Sequence, residues 1–415
     1  MRLPRAFDNN AKHMDDLAFL PGWPLASNQM IWVGVLLVAG VAGGELVQRL
    51  LRLPRVTGYA AAGLALGPGG WGLIGAPLLD ELVVFADIAL GLVLFELGTR
   101  LDIGWLRRSP ALALMGVAEA LGAAALVFFT LHWHFGQEPL VAAVAAAIAM
   151  STSPAVLIRV AADLRAEGQV TERALMLTAI NGVIAFLTLT VLIPWLHLEY
   201  RGGWLTILTQ PLYLLAGSFL LAAIASQATL KLVQLVGKHA ERQFIVVIAL
   251  VVLTVGAAVA LKLSVLLALL VMGAMVRNAD QERHFMVIDS GNAGQLFYLL
   301  LFVIAGARLD LGLLATAGAA GLAFVLVRFA GKALGVLAVA PFVGLKLRHV
   351  ALVALALTPM SGLAVVMVYE TASLYPEVRA SVAPVVLAAV VILELFGPIA
   401  TQFAIRQAGE AGADR

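Results

Sequence analysis

A phrase of eight residues occurs twice in this chain of 415 residues, each time at the end of an apolar run. The first copy is Leu-Gly-Thr-Arg-Leu-Asp-Ile-Gly at 97–104, and the second is Ala-Gly-Ala-Arg-Leu-Asp-Leu-Gly at 305–312. The same offset of 208 residues relates Ser153 to Ser361, and each serine belongs to a short proline-containing break in an apolar run. Two unrelated motifs with one offset indicate an internal duplication. We therefore expect two related halves, each with an interrupted helix.

The composition indicates the solvent in which the chain folds. Hydrophobic residues make up 62% of the chain and charged residues only 13%, whereas soluble domains have about 25% charged residues. Apolar stretches long enough to cross about 30 Å of hydrocarbon follow one another along nearly the whole length. We predict an all-α polytopic membrane protein with about thirteen spans, at 28–50, 56–73, 83–101, 110–132, 139–162, 171–196, 205–236, 242–261, 263–277, 292–309, 313–341, 349–370 and 381–405.

The positive charges predict the orientation of these spans. With Arg328 and Lys332 left aside because they fall inside a span, eighteen Lys and Arg residues lie on one side and seven on the other. Cytoplasmic loops collect such residues, so we expect an odd number of spans in a plasma (inner) membrane, with the N-terminus outside and the C-terminus cytoplasmic. An offset of 208 residues corresponds to seven helices, and this odd number inverts the second half relative to the first.

This reading divides the chain into three parts. They are an extracytoplasmic segment at 1–27, a transmembrane domain at 28–405 and a cytoplasmic tail at 406–415; within the domain, repeat one covers about 28–196, a linker helix about 205–236 and repeat two about 242–405. The chain has no cysteine, metal-ligand cluster, phosphate loop or nucleophile with a partner base. We therefore expect a non-enzymatic protein that takes no cofactor or metal and binds no nucleic acid, and whose surroundings are the lipid bilayer.

The two breaks are the first candidate binding region. The polar residues and prolines of these breaks are Ser151, Thr152, Ser153 and Pro154 in the first half and Thr358, Pro359 and Ser361 in the second. Proline removes a backbone donor and interrupts a helix. Non-helical backbone at membrane depth is tolerated only where it faces protein or a water-filled cavity. A hydroxyl-lined proline kink is the simpler interpretation of either break alone, but two matched breaks favour a site where opposed helix ends meet.

Charged residues inside the spans are the second group of candidates. Arg328 and Lys332 are four residues apart and share one helix face. An ionised side chain at the bilayer centre costs on the order of 3 kcal/mol, so such residues normally face the protein interior. The acidic residues within spans are Glu45, Asp87, Glu96, Glu119 and Glu394. Each could neutralise a cation structurally, or could carry a proton, and the sequence leaves both roles open.

Several short motifs occur in an order typical of one known family. They are Leu-Pro-Arg-Val-Thr-Gly-Tyr at 53–59, Gly-Leu-Ala-Leu-Gly-Pro at 63–68, Ser-Thr-Ser-Pro-Ala-Val at 151–156, Gly-Ala-Arg-Leu-Asp at 306–310, and the pair Arg328 and Lys332. With these motifs the chain resembles the monovalent cation:proton antiporter-2 family, which includes the Kef-type potassium efflux systems, over about residues 30–405. The resemblance implies a sodium/proton-antiporter fold with two inverted six-helix repeats, crossed broken helices and a homodimer. It further implies exchange of Na⁺ or K⁺ for H⁺ by elevator-like alternating access.

The chain departs from this family in its sixth helix. The resemblance implies a carrier acid after Asn181, but this chain has Gly182 there, and no acidic residue occurs between Arg173 and Glu199. A carboxylate is needed in such a site because the cation and the proton compete for one negative charge. Without it, a dehydrated cation would meet only an amide, hydroxyls and carbonyls.

Three interpretations follow from this departure. In the first interpretation, a carboxylate on another helix has replaced the missing acid, and Glu119 is the first candidate, followed by Glu394 and Glu96. Alternatively, the fold moves a different solute or conducts without coupling, or it is a non-transporting module that senses or partners something else. Under the first interpretation, Asn181 and the residues of the two breaks line the substrate position, and Arg328 and Lys332 offset the negative charge.

Overall fold

The computed structural model describes residues 29–200, 204–280, 291–374 and 376–412. The described helices are α1 (Gln29–Leu51), α2 (Arg55–Leu66), α3 (Ala76–Glu81), α4 (Val83–Thr99), α5 (Ile103–Arg108), α6 (Pro110–Phe129), α7 (Pro139–Met150), α8 (Pro154–Asp163), α9 (Gln169–Tyr200), α10 (Trp204–Val236), α11 (Ala240–Ala260), α12 (Val265–Ala279), α13 (Gly291–Ala307), α14 (Gly312–Val343), α15 (Leu347–Ala356), α16 (Gly362–Leu374) and α17 (Pro376–Gln407). The described part of the chain contains no strand; eight of its helices are long and apolar enough to cross a membrane, and further apolar helices of the described part are shorter.

The spans follow the prediction, with differences at a few ends. Helix α2 ends at Leu66, because Gly67 and Pro68 begin a turn within the predicted second span. Two short helices that hydropathy did not predict, α3 and α5, connect spans. The predicted extracytoplasmic segment at 1–27 lies outside the described residues, and the division into repeats and linker stays a prediction.

The two predicted breaks are real interruptions. The fifth span consists of α7 and α8, separated at 151–153, and the twelfth consists of α15 and α16, separated at 357–361. Ser153 occupies the N-cap of α8, where its hydroxyl oxygen accepts a hydrogen bond from the backbone N–H of Val156 at 3.4 Å. Each break therefore brings the C-terminal end of one half-helix close to the N-terminal end of the next.

Glycines allow the helices around these breaks to approach closely. A Cβ on Gly331 of α14 would overlap the carbonyl group of Gly122 on α6, so these two helices touch through their backbones. The first glycine in each copy of the repeated phrase also allows a close approach of two helices. Gly98 packs on the backbone of α12 near Leu270, and Gly306 packs on the backbone of α2 at Ala60. The phrase at 97–104 and 305–312 thus includes a close helix contact in each half.

The residues that follow α17 turn back onto another helix. After α17, Glu410 returns to the start of α9 and accepts hydrogen bonds from the backbone N–H groups of Val170, at 2.7 Å, and Thr171, at 2.8 Å. The first backbone N–H groups of a helix have no partner within the helix, and this carboxylate supplies one. The predicted tail at 406–415 therefore includes a capping segment over its described part.

Candidate functional site

The two breaks meet in the buried interior of the described structure. The backbone N–H of Ser153 donates to the carbonyl oxygen of Pro359 at 2.9 Å, and the hydroxyls of Ser153 and Ser361 are hydrogen-bonded to each other. The Thr152 hydroxyl donates to the carbonyl oxygen of Leu357 at 3.3 Å. The two serines related by the 208-residue offset therefore meet across the internal symmetry of the fold.

Arg328 binds the exposed carbonyl groups of both breaks. Its Nε donates to the carbonyl oxygen of Ala149 at 3.0 Å, and its Nη2 to that of Ser151 at 2.6 Å. Its Nη1 donates to the carbonyl oxygen of Thr358 at 2.8 Å. The side chain is fully buried in α14. A guanidinium can satisfy several carbonyls at once, so Arg328 fastens the C-terminal ends of α7 and α15 together.

Lys332 lies one helical turn further along α14 and connects the break to an acid. Its Nζ donates to the carbonyl oxygen of Met150 at 2.7 Å and to Oε2 of Glu119 at 2.7 Å. Both charged side chains are buried, with 1% and 0% of their surface exposed. The positive charges of Arg328 and Lys332 thus compensate the negative ends of two half-helices as well as one carboxylate.

Asn181 joins Glu119 to the first break. Its Nδ2 donates to Oε1 of Glu119 at 2.6 Å and to the Thr152 hydroxyl oxygen at 2.9 Å, and its Oδ1 accepts from the Thr152 backbone N–H at 3.2 Å. A carboxylate from α6, an amide from α9 and the unwound backbone therefore form one buried network. The approach of Glu119 to Asn181, which the sequence left undecided, is a feature of the fold.

Glu394 lies on the other side of the crossing, where α8 and α16 begin. Together with Ser153, Pro154, Ser361 and Gly362 it lines a small cavity. The side chain is 1% exposed, and its Oε1 has no hydrogen-bond partner among the residues that the structure describes. The crossing is thus flanked by two buried acids, one paired with a lysine and the other beside the positive ends of two half-helices.

Glu96 is in a different place from the crossing. Its carboxylate accepts hydrogen bonds from Arg100 at 3.3 Å and from the Tyr298 hydroxyl at 2.8 Å, and it lines a polar cavity of about 530 Å³ on the side where the positive charges collect. The same cavity contains the ion pair of Arg159 with Asp163 at 2.9 Å. Arg159 lies within α8. Its only sequence signal as part of a buried pair is the spacing of four residues within α8.

Gly182 is buried beside Asn181 and leaves space for a side chain. A Cβ built on Gly182 would meet only Cδ2 of Leu363 within 4 Å, at 3.8 Å, which is an ordinary contact distance. The predicted site residues therefore fall into three groups. The first group meets at the crossing and consists of the residues of the two breaks with Asn181, Glu119, Glu394, Arg328 and Lys332. Gly182 is next to this group, and Glu96 lies apart from it in the larger polar cavity.

Crossed broken helices, inverted repeats and buried charges at the crossing define a membrane protein of the sodium/proton-antiporter fold. The family model for the sodium/hydrogen exchanger transmembrane domain matches residues 34–406, so the chain belongs to that family.

Solved antiporters have the same fold. The structure of the sodium proton antiporter MjNhaP1 from Methanocaldococcus jannaschii at pH 8 superposes with a TM-score of 0.67 at 18% identity, covering 93% of this chain and 97% of that one. An electron-microscopy structure of the same antiporter gives a TM-score of 0.69 at 18% identity and covers 92% and 97%.

Two curated relatives match shorter stretches. The iron transporter MagA of Paramagnetospirillum magneticum (strain ATCC 700264 / AMB-1) is 31% identical over 137 residues, which is 32% of this chain and 30% of MagA. A protein in the phaC 3′ region of Methylorubrum extorquens is 39% identical over 93 residues, 21% of this chain and 33% of that protein. The chain thus spans about a third of the length of the curated relatives that it matches.

Proposed function

We propose that this protein exchanges a monovalent cation, Na⁺ or K⁺, for protons by alternating access at the crossing of the two broken helices. The observation that carries the proposal is the pair of buried acids, Glu119 and Glu394, on either side of that crossing. Membership of the sodium/hydrogen exchanger family supports the exchange of a cation for a proton. The absence of an acid at position 182 does not leave the crossing without a negative charge.

The chemistry of the crossing suits a dehydrated monovalent cation. Hydroxyl oxygens come from Thr152, Ser153 and Ser361, and Glu394 supplies carboxylate oxygens in the cavity that the two serines line. A carboxylate held away from water accepts either a proton or a cation, because an uncompensated charge at that depth is costly. Competition for one carboxylate couples the two fluxes.

The setting of this exchange is also part of the proposal. The protein spans the plasma (inner) membrane with its N-terminus outside and its C-terminus in the cytoplasm, as the distribution of Lys and Arg favours. It forms a homodimer, as the antiporter resemblance implies. The polar cavity of about 530 Å³ that contains Glu96 and Arg159 then opens toward the cytoplasm.

Proton flux in proteoliposomes tests the proposal. The purified protein is reconstituted with a trapped pH dye, and Na⁺ or K⁺ is added to one side over a range of pH. We expect a saturable, cation-dependent pH change that the double variant Glu119→Gln/Glu394→Gln abolishes. The variant Glu241→Gln, at an exposed acid in the first turn of α11, is the matched control and retains the flux. Coupled exchange that survives in the double variant would contradict the assignment of these acids, and the absence of cation-dependent flux in folded wild-type protein would contradict the function.

A further inference from the structure

Glu394 lines a small cavity at the N-terminal ends of two half-helices, together with Ser153 and Ser361. The cavity has a volume of about 10 Å³, which is enough for about one water molecule. A Na⁺ ion without its hydration shell is no larger than a water molecule. The cavity therefore has room for one small ligand next to a carboxylate and two hydroxyls.

The carboxyl group of Glu394 has no cationic partner there. None of the described residues that line the cavity is basic, and Glu394 is the one acid among them. Its Oε1 lacks a hydrogen-bond partner in the described part of the chain. A buried carboxyl group in this position is either protonated or holds a cation. The N-terminal ends of α8 and α16 also favour the negative form of this carboxyl group, which eases release of its proton.

Glu119 is in the opposite situation. Both of its oxygens are occupied, Oε1 by Asn181 at 2.6 Å and Oε2 by Lys332 at 2.7 Å. A cation at this carboxylate competes with the ammonium group of Lys332, which would remain buried without its partner if it were displaced. An unpaired charge in the protein interior is strongly unfavourable. Glu119 is therefore a positioning residue that orients Asn181 and Lys332 at the break.

Gly182 and the cavity of Glu394 have one neighbour in common, Leu363. A side chain on Gly182 would start toward Leu363, and Leu363 itself lines that cavity. An acid at 182, which the family resemblance implies, would thus approach the cavity from α9, whereas Glu394 enters it from α17. The two positions supply a carboxylate to one region from different helices.

We infer that Glu394, together with the hydroxyls of Ser153 and Ser361, is the site at which the cation and the proton compete, and that it replaces the acid missing at Gly182. This inference rests on the proposed function, because it names the residue that binds the exchanged ions.

The cavity also lies close to an aqueous approach. Ala155 of α8 and Leu301 of α13 line it, and Ile158 and Tyr298, one helical turn away on the same two helices, line the polar cavity of about 530 Å³. One turn of α-helix is about 5.4 Å. The two spaces are therefore separated by about one turn of α8 and α13.

An exchange of acids between the two helices tests the inference. Cation-dependent proton flux and the rise in melting temperature on adding Na⁺ or K⁺ are measured for wild type, Glu394→Gln, and Glu394→Gln combined with Gly182→Asp or Gly182→Asn. We expect Glu394→Gln to fold and to lose at least tenfold in flux together with the cation-induced stabilisation. Gly182→Asp restores part of both, and Gly182→Asn, of the same size without the charge, restores neither.

The outcomes separate the inference from the proposed function. If Glu394→Gln keeps wild-type flux and cation-induced stabilisation, Glu394 is not the site, although the exchange function stands. If wild type is stabilised by cations but shows no flux, and Glu394→Gln loses the stabilisation, the site stands and exchange does not. Should Glu394→Gln fail to fold, Ser361→Ala takes its place: a several-fold rise in the half-saturating cation concentration is expected, and an unchanged value overturns the inference.

Discussion

Replacing Lys332 with methionine leaves the Glu119 carboxylate buried without a cation. The lysine donates two hydrogen bonds of 2.7 Å, to Glu119 and to the carbonyl oxygen of Met150, and both side chains are at most 1% exposed. Removal of one partner from a buried pair destabilises a protein by roughly 3–5 kcal/mol, because the other charge remains in a low dielectric. We therefore expect Lys332→Met to lose about this much free energy of unfolding.

The double variant Glu119→Gln/Lys332→Met removes the stranded charge. A glutamine keeps an oxygen that accepts from Asn181, and methionine fills most of the lysine volume. The main remaining loss is one hydrogen bond to the Met150 carbonyl, worth about 1 kcal/mol. The double variant is thus expected to be more stable than Lys332→Met alone, with a coupling energy of roughly 2–4 kcal/mol.

Equilibrium unfolding in mixed detergent and dodecyl sulfate micelles, followed by tryptophan fluorescence, measures this cycle. Lys346→Met, at an exposed lysine before α15, is the matched control and is expected to change little. The reasoning is refuted if the losses of unfolding free energy in Lys332→Met and in Glu119→Gln simply add in the double variant, since additivity would mean that the two side chains do not stabilise each other.

Three further predictions follow from other parts of the fold. Glu410→Gln weakens the charged cap on α9 and is expected to cost about 1–2 kcal/mol of unfolding free energy in the same assay, with unchanged stability contradicting the capping role. Gly331→Val forces a side chain into the backbone of α6 and is expected to abolish monodisperse protein on size-exclusion chromatography, whereas Gly256→Ala, with open space around it, is tolerated. Because the chain has no cysteine, Lys238→Cys and Lys262→Cys give clean topology probes: an impermeant thiol reagent added outside intact cells should label the cysteine at 262 only, and labelling of the one at 238 would reverse the orientation.

The agreement between the predicted and observed breaks shows which features are local in the chain. Pro154 and Pro359 interrupt their helices through covalent geometry, so the breaks were visible without any knowledge of the neighbours. The span ends were less certain where glycine and proline end a helix early, as after Leu66. The capping role of Glu410 was invisible, because its partners at the start of α9 are 239 and 240 residues away along the chain.

The sequence by itself determined the membrane solvent, the inverted duplication and the positions of the breaks, because hydropathy, repeat offset and backbone chemistry are properties of short segments. Which charge meets which was decided only by the tertiary structure. Glu119 and Lys332 are 213 residues apart, and their pairing depends on how α6 and α14 are rotated about their axes and packed through glycines. Likewise, the rotation of α17 about its axis places Glu394 in the cavity at the N-terminal ends of α8 and α16, which neither Arg328 nor Lys332 lines. No local sequence pattern encodes that direction.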